Sequence, residues 1–389
     1  MTMQDSIDAL LGQAAEIGGV PGVVAVVTDR DGPIYEGAFG KRDLSGDAPM
    51  TLDTVGWIAS MTKAVTGTAA MQMVERGKLN LDTPAADVVP DLADPQVLEG
   101  FGADGEPVLR PAGRPITLRH LLTHTSGLVY NLWSAEMARY LEATGKPAVT
   151  TCERAALDLP LAFEPGERWQ YGIGIDWAGL MVEAVTGQRL GDYLRENVFE
   201  PLGMDDTAFR ITPGMRRRLA TVHARTPDGA LVPIEFELPQ EPEFEMGGGG
   251  LYSTAPDYAK FVRMILNGGA ADGNRVLQPD TVDLMSRNAI GDLRVQPLTS
   301  AVPDATNDAE FFPGVPKSWG LTFQINEQQA PTGLPAGSLM WAGLANSYYW
   351  IDRETGIGGV YVTQILPFVD TVSAPLFHGF QTAVYDAMG

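Results

Sequence analysis

Ser60-Met61-Thr62-Lys63 places a hydroxyl and an amine three residues apart at the start of a predicted helix. That spacing puts both side chains on one face, about a turn apart. The helix N-terminus adds a positive dipole end, which stabilises an oxyanion near Ser60 and disfavours a charged Lys63. A serine with its own proton acceptor is what an acyl-transfer nucleophile requires. Ser-x-x-Lys also arises by chance on helical surfaces, so the surrounding sequence has to carry the assignment.

The bulk properties limit the alternatives. A chain of 389 residues with 44% hydrophobic and 20% charged residues has material for one large domain or two closely packed regions. A net charge of −22 argues against nucleic-acid and anionic-membrane partners, whose phosphates call for a basic surface. Met1 is followed by Thr2, Met3, Gln4 and Asp5, without the basic and apolar regions of a secretory signal, and no apolar run is long enough to span a membrane. Cys152 is the single cysteine, so no internal disulfide forms. A cytoplasmic enzyme is the expectation.

Outward from Ser60, an amphipathic helix is predicted at the N-terminus, with Ile7, Leu10, Leu11, Ala14 and Ile17 on one face. Val23 to Thr28 and Ile34 to Phe39 form a hairpin across an Asp31-Gly32 turn. From Thr68 to Phe209 strand signals are sparse and helices are predicted. The chain returns to strands at Ser347 to Ile351 and Gly359 to Ile365, before a final helix from Ser373 to Met388. Residues 292 to 318, rich in Pro, Asp and Thr, read as a long surface excursion. The expected fold is α+β: an antiparallel sheet flanked by helices, built by residues 1–67 and 210–389, with 68–209 inserted as a mainly α-helical region and the active site between them.

Four segments in order then become informative: Trp57-Ile58-Ala59-Ser60-Met61-Thr62-Lys63; Leu121-Leu122-Thr123-His124-Thr125-Ser126-Gly127-Leu128; Phe163-Glu164-Pro165-Gly166-Glu167-Arg168-Trp169-Gln170-Tyr171; and Trp341-Ala342-Gly343. The chain resembles the serine β-lactamase and penicillin-binding-protein superfamily, and within it the class C β-lactamase-like carboxylesterases called family VIII, over nearly its whole length. The resemblance implies a β-lactamase/transpeptidase-like fold and an acyl-enzyme on Ser60, with Lys63 and Tyr171 sharing the proton work. A free phenol titrates near 10, so Tyr171 acts as a base only if a neighbour such as the Lys63 ammonium stabilises its anion; otherwise Lys63 is the base and Tyr171 passes the proton on. The resemblance further implies an oxyanion hole from the backbone N–H groups of Ser60 and Leu344, the second on an edge strand.

The departures bear on substrate. Where β-lactamases carry Lys-Thr-Gly, this chain has Trp341-Ala342-Gly343, expected to present an indole wall to substrate in place of a cation. Where they carry Tyr-Ser-Asn, it has Tyr171-Gly172-Ile173. Both changes favour small neutral carboxylic esters over lactams. A β-lactamase, a D-amino-acid peptidase or an acyltransferase on the same scaffold shares the machinery. A non-catalytic ligand-binding sensor is the reading from another class, and the intact Ser60, Lys63 and Tyr171 count against it. No cofactor and no metal are implied: His120 and His124 lack a His-Glu-x-x-His context, Gly247 to Gly250 lacks a phosphate loop's Lys-Ser/Thr and reads as a mobile turn, and no Gly-x-Ser-x-Gly elbow occurs.

Overall fold

Seven strands make the central sheet of the computed structural model, which describes residues 2–389. They are β1 (Gly22–Thr28), β2 (Pro33–Gly40), β3 (Lys317–Trp319), β4 (Gln324–Asn326), β5 (Leu339–Gly343), β6 (Ser347–Asp352) and β7 (Ile357–Val362), in the spatial order β3-β4-β5-β6-β7-β1-β2. Every neighbouring pair is antiparallel. The first hairpin is joined to the C-terminal strands through β1 and β7, so both chain ends build one sheet. Its turn is pinned by Asp29, whose carboxylate accepts from the N–H groups of Asp31 and Gly32.

Helices α1 (Met3–Glu16), α5 (Ala255–Leu266) and α6 (Ser373–Asp386) pack on it, and α2 (Thr62–Glu75), α3 (Leu118–Leu122) and α4 (Gly174–Thr186) pack against one another beside it. The strand period explains how β6 is buried on both faces. Tyr348 and Trp350 meet Phe377 and Phe380 of α6 at ring separations of 4.4 and 5.4 Å, while Tyr349 points the other way onto Tyr258 of α5 at 5.1 Å. Thr2 caps α1 and Thr254 caps α5. Helix α2 is buried almost all round from Thr62 to Met73, which is why it shows no clear apolar stripe. The fold is α+β, an antiparallel sheet flanked by helices.

Three expectations are corrected. Residues Thr68 to Phe209 contain a β-hairpin, Gln96–Phe101 paired with Pro107–Pro111. Its alternation is broken by a register shift between Leu98 and Gly100, and it joins no larger sheet, meeting only Leu161 in a single parallel bridge at Val97, so it left little pattern to read. Residues 292–318 are not a free excursion: Val295, Leu298, Ala309, Phe311 and Phe312 are buried, and the segment ends by becoming β3. Isolated apolar anchors in a polar stretch carry no periodicity. Ile17 lies just past the end of α1 and is 75% exposed, so it does not share the buried face of Ile7 and Leu11. Among the described residues no helix is long and apolar enough to cross a membrane.

Candidate active site

Ser60 sits in a 3-10 turn, Ala59–Met61, that leads directly into α2. Ala59 before it has φ +43, a left-handed conformation that costs a non-glycine residue on the order of 1 kcal/mol or more. The sharp turn is held against the end of β5, where a side chain at Gly343 would lie 2.3 Å from the Ile58 carbonyl oxygen. Only glycine lets the two backbones come so close. Strand β5 is interior to the sheet, not an edge strand as expected. Its neighbour β4 is short and pairs only with Leu339 and Met340, so Trp341 to Gly343 are bare on that side. The effect is a local edge beside the serine. The N–H groups of Ser60 and Leu344 have no backbone partner among the described residues, leaving two free donors on residues that line the same cavity.

Lys63 is fully buried one turn further on. Its Nζ donates to Ser60 Oγ at 3.2 Å, to the Tyr130 hydroxyl at 2.9 Å and to the Gly248 carbonyl. It also lies 4.7 Å from the Tyr171 ring centroid and 5.0 Å from that of Tyr130. Burial pushes its pKa down to about 7, against an opposing pull from the Asp176 carboxylate. An amine losing its proton near neutrality, in contact with a serine hydroxyl, is equipped to accept that proton.

Tyr171 is buried above Lys63. Its hydroxyl accepts from the Trp341 indole N–H at 3.0 Å. Burial raises its pKa, and the Ser60 hydroxyl and the Trp341 indole only partly oppose the rise, so the phenol keeps its proton at neutral pH. His124, at φ +57, lies beside Tyr171 with ring centroids 4.7 Å apart; its Nδ1 accepts from the Gly172 N–H at 3.3 Å. His120 Nδ1 likewise accepts from the Thr117 N–H. Both histidines are tied to backbone.

The structure thus brings Ser60, Lys63, Tyr171 and Leu344 together. It places Trp341 differently from the expectation: the indole is 4% exposed and faces Tyr171, not open space, and Ala342 and Gly343 are buried with it. Of that run only Leu344 lines the cavity.

Two participants were missed, and a third, expected as a mobile turn near the site, was misjudged. Tyr130 follows the Thr123–Leu128 motif by two residues, a signal that was available. Asp176 is the lone charge among the apolar residues opening α4. The turn Gly247 to Gly250 is buried, not mobile: its first three carbonyls accept in succession from Thr66, Lys63 and the Trp57 indole.

Above Ser60 opens a cavity of about 190 Å³ walled by Trp57, Trp133, Val149, Phe236, Met246 and Leu344. Asn131 and Thr150 add polar groups, and no charged side chain lines it. A second cavity, of about 320 Å³, lies in the helical region and contains none of these groups.

A serine turn, a buried lysine and two free N–H donors beside a sheet strand define the class of serine hydrolases and acyltransferases. The chain belongs to the Beta-lactamase family, whose profile matches residues 7–378. It is similar to lovastatin esterase of Penicillium rubens, 32% identical over 97% of this chain and 98% of the relative. It is similar also to monacolin J acid methylbutanoyltransferase of Aspergillus terreus, 34% identical over 94% of this chain and 92% of that protein. The solved structure of unliganded simvastatin synthase from Aspergillus terreus superposes with a TM-score of 0.85 at 31% identity, covering 97% of each chain. The chain is therefore an enzyme of esterase or acyl-transfer chemistry on this fold.

Proposed function

We propose that this enzyme is a serine carboxylesterase for small neutral carboxylic esters, acting through an acyl-enzyme on Ser60. The observation that carries the reading is Lys63 Nζ at 3.2 Å from Ser60 Oγ, buried behind a serine that itself lines an uncharged cavity. The Ser60 proton passes to Lys63 as the oxygen bonds to the ester carbonyl carbon. The developing oxyanion is met by the N–H groups of Ser60 and Leu344. The bond to the alcohol then breaks, and the alkoxide takes a proton from Tyr171, a loss balanced by the proton Lys63 has gained. Tyr171 suits this donor role because burial keeps it protonated. Water then attacks the acyl carbon and gives one proton to the Tyr171 phenolate, the bond to Ser60 Oγ breaks as that oxygen recovers a proton from Lys63, and the acid leaves with all three groups restored.

The size of the cavity, on the order of six water volumes, suits a short or branched acyl chain, the kind of group named for the transferase relative. Transfer to an alcohol acceptor is a second reading, favoured by walls that offer water little beyond Asn131 and Thr150. The partner is then a small molecule, with no nucleic acid or membrane surface, in keeping with the charge of −22. A cytoplasmic location completes the reading, supported by a lone, buried Cys152.

The test combines fluorophosphonate labelling with turnover of nitrophenyl butyrate, nitrocefin and a D-alanyl peptide, with and without an added alcohol. Labelling and butyrate turnover, both abolished in Ser60→Ala, are expected; β-lactam hydrolysis far above ester hydrolysis overturns the reading. New ester in the presence of alcohol selects transfer over hydrolysis.

A further inference from the structure

We propose that Asp176 is a positioning residue for Ser60 acylation: through Gly248 it fixes the carbonyl that holds Lys63, and it balances the charge of that buried amine. The inference rests on the reading of Ser60 and Lys63 given above and adds a residue to it.

The connection runs through one glycine. Asp176 Oδ1 accepts from the Gly248 N–H at 2.8 Å, and the Gly248 carbonyl accepts from Lys63 Nζ. Carboxylate and ammonium therefore grip the two polar groups of a single residue. A side chain at position 248 would put its Cβ 2.5 Å from Asp176 Oδ2, so any residue but glycine there would push the carboxylate aside. Asp176 is fully buried in the first turn of α4, whose N-terminal dipole favours a negative charge there. Its Oδ2 has no hydrogen-bond partner among the described residues. A carboxylate left with one lone-pair face unsatisfied in an apolar setting is expensive unless a charge nearby compensates it, and Lys63 is that charge.

The other titratable groups facing the pair do not compete. Tyr130, Tyr171 and Cys152 feel the Asp176 charge, but burial raises all three and keeps them neutral. His124, which feels Lys63, is held neutral by burial. The pair is the only one of these groups to change charge near neutral pH.

Asp176→Asn separates the two roles. The amide oxygen still accepts from the Gly248 N–H, but the charge is gone. Asp176 favours the ammonium form of Lys63, so its neutralisation frees the amine at lower pH. The acid limb of fluorophosphonate labelling is expected to move down by about one pH unit. An unmoved limb with a merely lowered melting temperature assigns Asp176 a structural role and overturns the proposal, as does an upward shift. Should Asp176→Asn not fold, Gly248→Ala displaces the carboxylate by crowding, and the same labelling limb must move. Loss of fold in both variants overturns the charge-balancing role in favour of a structural one. Wild-type protein that never labels, by contrast, sinks the acyl-enzyme reading itself.

Discussion

The Trp341 indole nitrogen donates a hydrogen bond of 3.0 Å to the Tyr171 hydroxyl, and that bond joins the sheet to the catalytic cleft. It occurs at the position where the family's lactam-cleaving members carry a lysine. A neutral donor here leaves Tyr171 oriented, with its oxygen partly relieved of the cost of burial, and introduces no cation to attract a substrate carboxylate. The residue expected to present a wall to substrate is here hydrogen-bonded to a phenol.

Trp341→Phe tests that assignment, because it keeps most of the ring packing and removes the donor. Loss of one hydrogen bond of about 1.4 kcal/mol predicts a kcat roughly ten times lower with KM close to wild type. A raised KM at unchanged kcat would return Trp341 to the substrate wall. Steady-state kinetics on one nitrophenyl ester decide between the two.

The rate should depend on pH through the amine. An ordinary lysine titrates near 10.4; burial brings Lys63 to about 7, with Asp176, raised by burial to about 6, coupled to it. A lowered value means that the neutral form is populated above that pH and lost below it. Acylation of Ser60 should therefore rise as pH increases through about 7 and then level off, with a limb that belongs to the pair. A limb near that of free lysine, measured by the pH dependence of labelling, would remove Lys63 as the base.

How much of this was legible follows from what each residue contributes to a linear pattern. Ser60 and Lys63 are a turn apart on one element, and Tyr171 ends a motif of prolines, glycines and aromatics, so all three could be read. The sheet was visible at both chain ends because β1 and β6 are dense in β-branched and aromatic residues. Asp176, Gly248 and Lys63 come from three places more than 70 residues apart, joined by backbone hydrogen bonds that leave no sequence signature. Trp341 was read as a surface because its type suggests stacking, whereas its direction is set by the register of β5 on β6. The hairpin at Gln96–Phe101 and the anchors in 292–318 have too few consecutive alternating positions to show a period.

Gly343→Ala examines the oxyanion site without touching a reacting group. The new methyl would sit 2.3 Å from the Ile58 carbonyl, so the serine turn and β5 must separate. With the Leu344 N–H drawn out of reach, kcat should fall by about 10²-fold or more, as for loss of one oxyanion donor. Circular dichroism should remain that of a folded protein. A rate near wild type would mean that Leu344 does not stabilise the oxyanion.

The uncharged cavity makes a prediction about substrates that no mutation is needed to check. Nitrophenyl butyrate and the nitrophenyl monoester of succinic acid differ chiefly in a terminal carboxylate on the acyl chain. Trp57, Trp133, Phe236 and Met246 offer that carboxylate no counter-charge, and burying it without a partner costs several kcal/mol. The charged ester should therefore show a kcat/KM lower by about 10²-fold or more. Leu132, also in the lining, gives a way to reverse the effect: Leu132→Arg should recover part of the loss for the charged ester while slowing the neutral one. Equal rates for the two esters in the wild type would place the acyl chain in solvent, outside the cavity above Ser60, and would detach the substrate reading from this pocket.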